Sequence, residues 1–409
     1  MINVDSTIHD PTLSAEEAAE LLGIKRETLY AYASRGQLRS LPGEGSRARR
    51  YLRSDVELLR ARHDARAGHG PVAASALRWG EPVLDSAITG IDARGPRYRG
   101  HVAVELAANG VSFERVAELL WSGASGALPD AAVWQAPARV PASGVDASAP
   151  ALLRLSALVP LLAHADPSPM PSTAPRELAR ARQLVATLAR AVAPEPAAVP
   201  AEATLARALA VGLGVRPTPR VVAALDRALV LMADHELNAS SFVARVTAST
   251  GADLYAVVSA ALAALSGPAH GGACDRVEAL LDEAGEPSRA AEVVRARGRR
   301  GEVVPGFSHR LYPDGDPRSA PVLADARALG PRRRSVATLL ALAEATARTR
   351  GEKPAVDLAL VALMEAIGAP RGSATVVFAL GRTAGWIAHA MEQREAGFLL
   401  RPRARYVGP

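Results

Sequence analysis

Apolar residues in this chain recur at three- and four-residue spacing and almost nowhere alternate with polar ones. The segments 180–193, 219–233 and 335–350 show the pattern plainly. Such spacing lines one face of an α-helix, whereas a half-buried strand needs a period of two. The apolar residues are mainly Ala, Leu and Val, and aromatics make up only 4%. Ala and Leu are strong helix formers, and small side chains let helices pack closely. The expected fold is all-α. At 409 residues the chain is long enough for two or three units.

Several chemistries drop out on residue counts. A single cysteine rules out a disulfide framework, CxxC redox chemistry and any all-cysteine metal or iron–sulfur site. Lys25 and Lys353 are the only lysines beside forty-six arginines, so no GxxxxGK[ST] phosphate loop can be built. A Schiff-base enzyme would depend on one of those two. The nine histidines show no pair at metal-ligand spacing on one helix, and zinc is not expected. The pI of about 9.9 reflects arginine's high pKa more than charge excess, because the formal net charge is only +6. No apolar run reaches the length of a membrane span and no leader pattern opens the chain, so a soluble, cytoplasmic protein is expected.

The first seventy residues have their own pattern. Ser14 and Glu17 form a Ser-x-x-Glu capping box ahead of an amphipathic helix over 15–22, which Gly23 ends. A second helix is expected over 26–34, then a Gly-rich hairpin-like segment over 43–53 and a helix over 54–62. Two short helices about a tight turn are the sequence form of a helix-turn-helix. Charge is split: residues 1–24 carry five acidic and no basic side chains, whereas 25–66 carry eleven basic and five acidic ones. The stretch LSAEEAAELLGIKRETLYAYASRGQLRS…RRYLRSDVELL resembles the winged helix-turn-helix of MerR- and excisionase-type proteins. The resemblance implies double-stranded DNA as partner. Thr28, Tyr30 and Arg35 would lie in the recognition helix, Arg26 would flank it, and Arg47, Arg49 and Arg50 would belong to the wing. A small helical docking module with a solvated arginine face would show the same charge split, and that alternative stays open.

Beyond a linker at 67–83, three histidines have unusual neighbours. In ADHELNASSF, an acid, His235 and an amide fall within one turn. In SGPAHGGACDR, glycines follow His270, so a ligand or another backbone can approach closely. In VPGFSHRLYPDGDPR, His309 follows a Gly turn and Arg318 a Pro-containing loop. Histidines in such places serve as proton donors or carbonyl polarisers, and arginines as carboxylate clamps.

From about residue 84 onward the chain resembles citrate synthases. The segment SAITGIDARGPRYRGHVAVELAANG opens the likeness. DHELNASSF, GPAHGGA, PGFSHRLYPDGDPR, the Val-Asp pair at 356–357 and GRTAGWIAHAMEQ…RPRARYVG follow in the family's order. The resemblance implies a large helical domain (84–271 and 370–409) and a small one (272–369), preceded by the winged unit at 1–66. It implies condensation of acetyl-CoA with oxaloacetate to citrate, a step of the tricarboxylic acid cycle. Asp357 would be the base, His270 the donor to the thioester oxygen and His309 the donor to the ketone. His235, Arg318, Arg382 and Arg401 would bind oxaloacetate. Arg401 would reach across a homodimer into the partner's site. No metal or prosthetic group is implied, because the CoA thioester is a substrate.

The departures are specific. Ser308 stands where the family usually has Gly, Cys274 where it often has an amide, and Leu-Ala-Leu follows Asp357 in place of an aromatic–Ser–Gly run. The last change touches the acyl pocket and leaves acetyl-CoA and propionyl-CoA, hence citrate and 2-methylcitrate, as alternatives. A regulator with a synthase-like sensor body is a further alternative. Such a sensor would need neither Asp357 nor His309, and both are present.

Overall fold

The computed structural model describes residues 12–35, 38–42, 49–53, 55–57, 59–60, 83–122, 128–130, 134–137, 140–141, 143–146, 148–193, 195–200, 203–402, 404, 406 and 408. The chain divides into two compact units, Met1–Ser86 and Ala87–Pro409.

In the first unit the capping box forms as its residues suggest. The Glu17 backbone N–H donates to Ser14 Oγ at 3.2 Å, and the Ser14 N–H donates to the Glu17 carboxylate at 2.7 Å. The helix Ala15–Leu22 then stops at Gly23, whose φ of +64° favours glycine. A second helix, Arg26–Ser34, follows. Strands Thr12–Ser14 and Ser40–Pro42 pair antiparallel on either side of Arg49–Leu52. Ala18, Leu29, Leu38, Tyr51 and Val56 make the small shared core.

The second unit is helical, with one small exception. Thr89–Asp92, Gly95–Tyr98 and His101–Val102 form an antiparallel meander. Strands of two to four residues are too short to show alternation, which is why periodicity alone predicts no sheet there. Fourteen α-helices follow among the described residues. The helix expected over 180–193 begins earlier, as Ala174–Ala191 with Pro175 in its first turn, whereas Pro219–Met232 and Arg334–Arg350 lie almost where periodicity puts them.

Two long-range groupings position the site. The helix Ser373–Ala396 runs through the interior and packs on Phe113–Ser122, Pro219–Met232, Ala239–Ser249 and Leu254–Leu265. It is buried on nearly every side, so its apolar residues do not keep to one face. The helix Val356–Ile367 is the hub of the second group, against Ala273–Ala284, Ser319–Leu329 and Arg334–Arg350. Glycines permit the tightest crossings. A Cβ at Gly381 would lie 2.7 Å from Met232 Cβ, and one at Gly385 would lie 2.2 Å from Asp234 Oδ1. The Gly385 N–H instead donates to the Ala233 carbonyl at 2.9 Å. No described helix is long and apolar enough to cross a membrane.

Candidate active site

The segment after Pro219–Met232 turns sharply. Glu236 takes a φ of +55°, a left-handed conformation that non-glycine residues rarely adopt. Asn238 then caps Ala239–Ser249, its Oδ1 accepting the N–H groups of Ser240 and Ser241, both at 3.2 Å. Tyr98, fully buried, donates its hydroxyl to carbonyls at the end of Pro219–Met232, the nearest being Val230 at 3.0 Å. Asp234, also fully buried, meets His389 of the Ser373–Ala396 helix, with Nε2 to Oδ2 at 3.3 Å. Burial alone would raise the Asp234 carboxyl; His389 and Arg382 outweigh that and hold it below its usual range. These contacts fix the backbone around His235.

His235 Nε2 lies 2.8 Å from the Tyr312 hydroxyl, and its ring stands 5.2 Å from that of His309. The His309 and Tyr312 rings are 4.9 Å apart. His309 is held by a short backbone pairing. The Ser308 N–H donates to the Lys353 carbonyl at 3.0 Å and the Ala355 N–H to the Gly306 carbonyl at 2.8 Å. That pairing brings the histidine loop beside the start of Val356–Ile367, where Asp357 sits in the first turn. Ser308 adopts φ +60°, so the serine keeps the backbone form that explains glycine's preference there. The Leu311 N–H donates to His309 Nδ1 at 3.2 Å, which leaves a neutral ring's proton on Nε2.

His270 is approached from another side. Its Nε2 lies 2.8 Å from Ser240 Oγ, which also accepts Trp386 Nε1–H at 3.0 Å. The two glycines after it serve backbone packing. A Cβ on Gly271 would come within 2.7 Å of the Leu265 carbonyl oxygen, and one on Gly272 within 2.9 Å of Pro268 Cα.

The two inner arginines differ. Arg318 is buried and clamps Asp316 with two bonds, 2.9 and 2.8 Å, while Asp316 also accepts the Val356 N–H. Arg382 is equally buried, but its Nε donates only to the Met232 carbonyl, at 2.9 Å, and its guanidinium lies 4.8 Å from the Phe378 ring centre. Burial, with the Arg318 charge nearby, pulls Arg382 down to about 10. The His270 ring stands 6.0 Å from the same Phe378 ring.

Electrostatically the three histidines agree. Burial drives His270 and His309 down to about 4, with Arg382 adding to the first and Arg318 to the second. Burial and the same two arginines hold His235 well below its ordinary value. All three rings are therefore neutral at physiological pH. Asp357 shifts the other way: burial raises its carboxyl above the usual range. The Cys274 thiol donates to its Oδ1 at 3.7 Å.

The fold thus brings together His235, His270, His309, Asp357, Arg318 and Arg382 around one region, linked by ring contacts, hydrogen bonds and the reach of two buried charges. Arg401 lies outside this cluster, exposed in the segment after Ser373–Ala396. That segment is tethered by Gln393 Nε2, which donates to the Phe398 carbonyl at 3.0 Å, and by the Leu400 N–H, which donates to Ser249 Oγ at 3.1 Å. Tyr312, Ser240, Trp386 and Asp316 also belong to the region, and sequence reasoning did not single them out. Asp316 alone left a signal, an acid two residues before a buried arginine.

In the first unit Arg26, Thr28, Tyr30 and Arg35 are exposed on or beside Arg26–Ser34, and Arg49 and Arg50 on the strand Arg49–Leu52. Arg50 also spends two bonds on Thr12, 2.7 and 2.6 Å. Arg47 lies outside the described residues, as does most of the expected linker.

A helical body with buried arginines, neutral histidines and a raised carboxylate defines an enzyme-like centre. Comparison with known proteins gives the family. Residues 76–403 match the model of the citrate synthase C-terminal domain, and residues 12–64 match a helix-turn-helix domain. Citrate synthase 2 of Bacillus subtilis is 37% identical over 199 residues, covering 48% of this chain and 54% of that one. The 2-methylcitrate synthase of Mycobacterium tuberculosis is 33% identical over 335 residues, covering 76% of this chain and 84% of that one. Among solved structures, a ternary complex of the Thermoplasma acidophilum citrate synthase with carboxymethyl coenzyme A and oxaloacetate superposes with a TM-score of 0.69. It is 26% identical and covers 80% of this chain and 94% of that one. This chain belongs to the citrate synthase family and carries an N-terminal helix-turn-helix domain.

Proposed function

We propose that the body condenses an acyl-CoA with oxaloacetate, releasing a tricarboxylate and free CoA. One observation carries the reading: two buried guanidiniums and three neutral histidines surround a region where burial raises the Asp357 carboxylate. A dianion such as oxaloacetate would pair with Arg382, with Arg318, already held by Asp316, as a second positive charge and His235 as a further donor.

Asp357 takes a proton from the α-carbon of the acyl group, and the Nδ1–H of His270 donates to the enolate oxygen. The Ser240 hydroxyl has two acceptors at 2.8 Å, Asn238 Oδ1 and His270 Nε2. Asn238 Oδ1 already receives two backbone N–H groups, so the hydroxyl proton is best placed on the His270 side, leaving the ring's own proton on Nδ1. The carbanion attacks the ketone of oxaloacetate, and the new alkoxide takes the Nε2 proton of His309. Water then cleaves the thioester, giving citrate from acetyl-CoA or 2-methylcitrate from propionyl-CoA. No metal or prosthetic group takes part. A homodimer in which Arg401 completes the partner's oxaloacetate site, a large and a small helical domain, and a cytoplasmic location belong to the same reading.

The N-terminal unit is proposed to bind double-stranded DNA. Thr28, Tyr30 and Arg35 would meet the bases, and Arg26, Arg47, Arg49 and Arg50 the phosphates. The exposed basic face and the helix-turn-helix match support it.

The test of the catalytic reading is a thiol-release assay with acetyl-CoA and propionyl-CoA. Release should require oxaloacetate, and Asp357→Asn should remove most of the rate while oxaloacetate binding by calorimetry persists. Wild-type protein that binds oxaloacetate yet releases no CoA from either thioester would instead make the body a metabolite sensor for the DNA-binding unit.

A further inference from the structure

Cys274 is the chain's one thiol, and it is fully buried in the first turn of the helix Ala273–Ala284. Its Sγ lies 3.7 Å from Asp357 Oδ1, an ordinary length for a bond from sulfur. Among the described residues no other side chain hydrogen-bonds to that carboxylate. The remaining charges bearing on it come from the loop before Ser319–Leu329: Arg318, which favours the anion, and Asp316, which opposes it. On its own helix Cys274 has Asp275 and Glu278 as acidic neighbours.

Resting on the catalytic reading above, we propose that Cys274 is a positioning residue for the base. Its S–H holds Oδ1 of Asp357, so that Oδ2 is the oxygen presented to the acyl group. Three features support this. Burial and the surrounding acids, Asp357 first among them, keep the thiol well above its ordinary value, so it stays protonated and acts as donor. Sulfur is a weak donor, so it orients the carboxylate while stabilising the anion little, and the carboxyl remains more basic than a hydroxyl partner would leave it. An uncharged group of this size also fills the gap between the two helices without adding a further buried charge.

Two measurements on the full-length protein decide the matter. The first needs no turnover. With one thiol in the chain, the infrared S–H stretching band belongs to Cys274 alone. It should sit at the wavenumber of a hydrogen-bonded thiol and move toward that of a free thiol in Asp357→Ala. It should move the same way in wild type when acid protonates the carboxylate, which covers the case in which the variant does not fold. A band unmoved by both changes overturns the contact.

The second is the pH profile of kcat/KM for whichever acyl-CoA the wild type uses. Cys274→Ser, a stronger donor, should shift the acid limb down by about half a pH unit and keep most of the activity. Cys274→Ala should shift it up and lower kcat several-fold, with the KM for oxaloacetate unchanged. Profiles superimposable on wild type in both variants overturn the positioning role. A wild type with no activity overturns the catalytic reading, and the infrared band still decides whether the thiol holds the carboxylate.

Discussion

The buried titratable groups pull stability in opposite directions as pH changes. His270 and His309 are neutral in the fold down to about 4, whereas in the unfolded chain they take up protons near their ordinary 6.5. The unfolded state therefore binds more protons between those values, and their effect is a loss of stability as pH falls from about 6.5 to 4. Asp226 does the reverse. Burial, with Glu114 beside it, raises its carboxyl to about 7 from 3.8, so the fold holds the proton longer and stability falls as pH rises through that window. Asp226→Asn keeps an oxygen to accept the Phe113 N–H, which Asp226 Oδ1 binds at 3.0 Å. The variant should melt higher than wild type at pH 8 and at nearly the same temperature close to pH 4; equal melting at both would count against a strained carboxylate. At the same scale, Tyr312→Phe removes the hydroxyl that meets His235. Losing one buried hydrogen bond of about 1 kcal/mol should raise the KM for oxaloacetate roughly five-fold in steady-state assays, with a smaller change in kcat.

Helix ends and helix crossings hold the centre together. Asn238 caps Ala239–Ser249, whose first turn carries Ser240 against the ring of His270. Asn238→Ala should destabilise the body by about 1–2 kcal/mol in denaturant titration. It should also lower kcat, because fraying of the first turn moves Ser240 away from His270. Gly385 lets the Ser373–Ala396 helix pass directly over Ala233 and Asp234. An alanine there would push against a backbone carbonyl at 2.7 Å and a buried carboxylate, neither of which can yield easily. Gly385→Ala should cost on the order of 3 kcal/mol by overpacking, whereas Gly351→Ala, with nothing near its Cβ, should cost only the strain of its left-handed backbone.

For the whole molecule, the proposed sharing of sites between subunits gives the informative test. His309→Ala and Arg401→Ala should each be nearly inactive as pure dimers, the first for want of the acid and the second because a carboxylate loses its partner. In a mixed dimer one site collects both defects and the other none. Co-refolding equal amounts should make about half the dimers mixed and return roughly a quarter of wild-type activity. Mixed dimers without recovery would show that Arg401 does not act across the interface. The N-terminal unit should be separable: a chain of residues 87–409 should keep CoA release and lose retention on duplex DNA at low salt. In the full chain that retention should weaken steeply as salt rises, because each bound phosphate releases counterions.

Local chemistry was readable from the residues because it depends on near neighbours. The Ser14–Glu17 box, the stop at Gly23 and the three- and four-residue spacing of Pro219–Met232 and Arg334–Arg350 are properties of one turn or one face. The three histidines and their glycines stood out for the same reason, and their order along the chain was enough to suggest the family. The meander at 89–102 was missed because strands that short carry no period. Tyr312 and Ser240 looked ordinary, since each acquires its place only when segments about 77 and 30 residues apart meet. Asp357 was marked as the base only by its place in the family's order of motifs; its burial against Cys274, 83 residues away, comes from the packing of Val356–Ile367. Desolvation and long-range hydrogen bonds set which protons move in this protein, and neither exists until distant segments of the chain have come together.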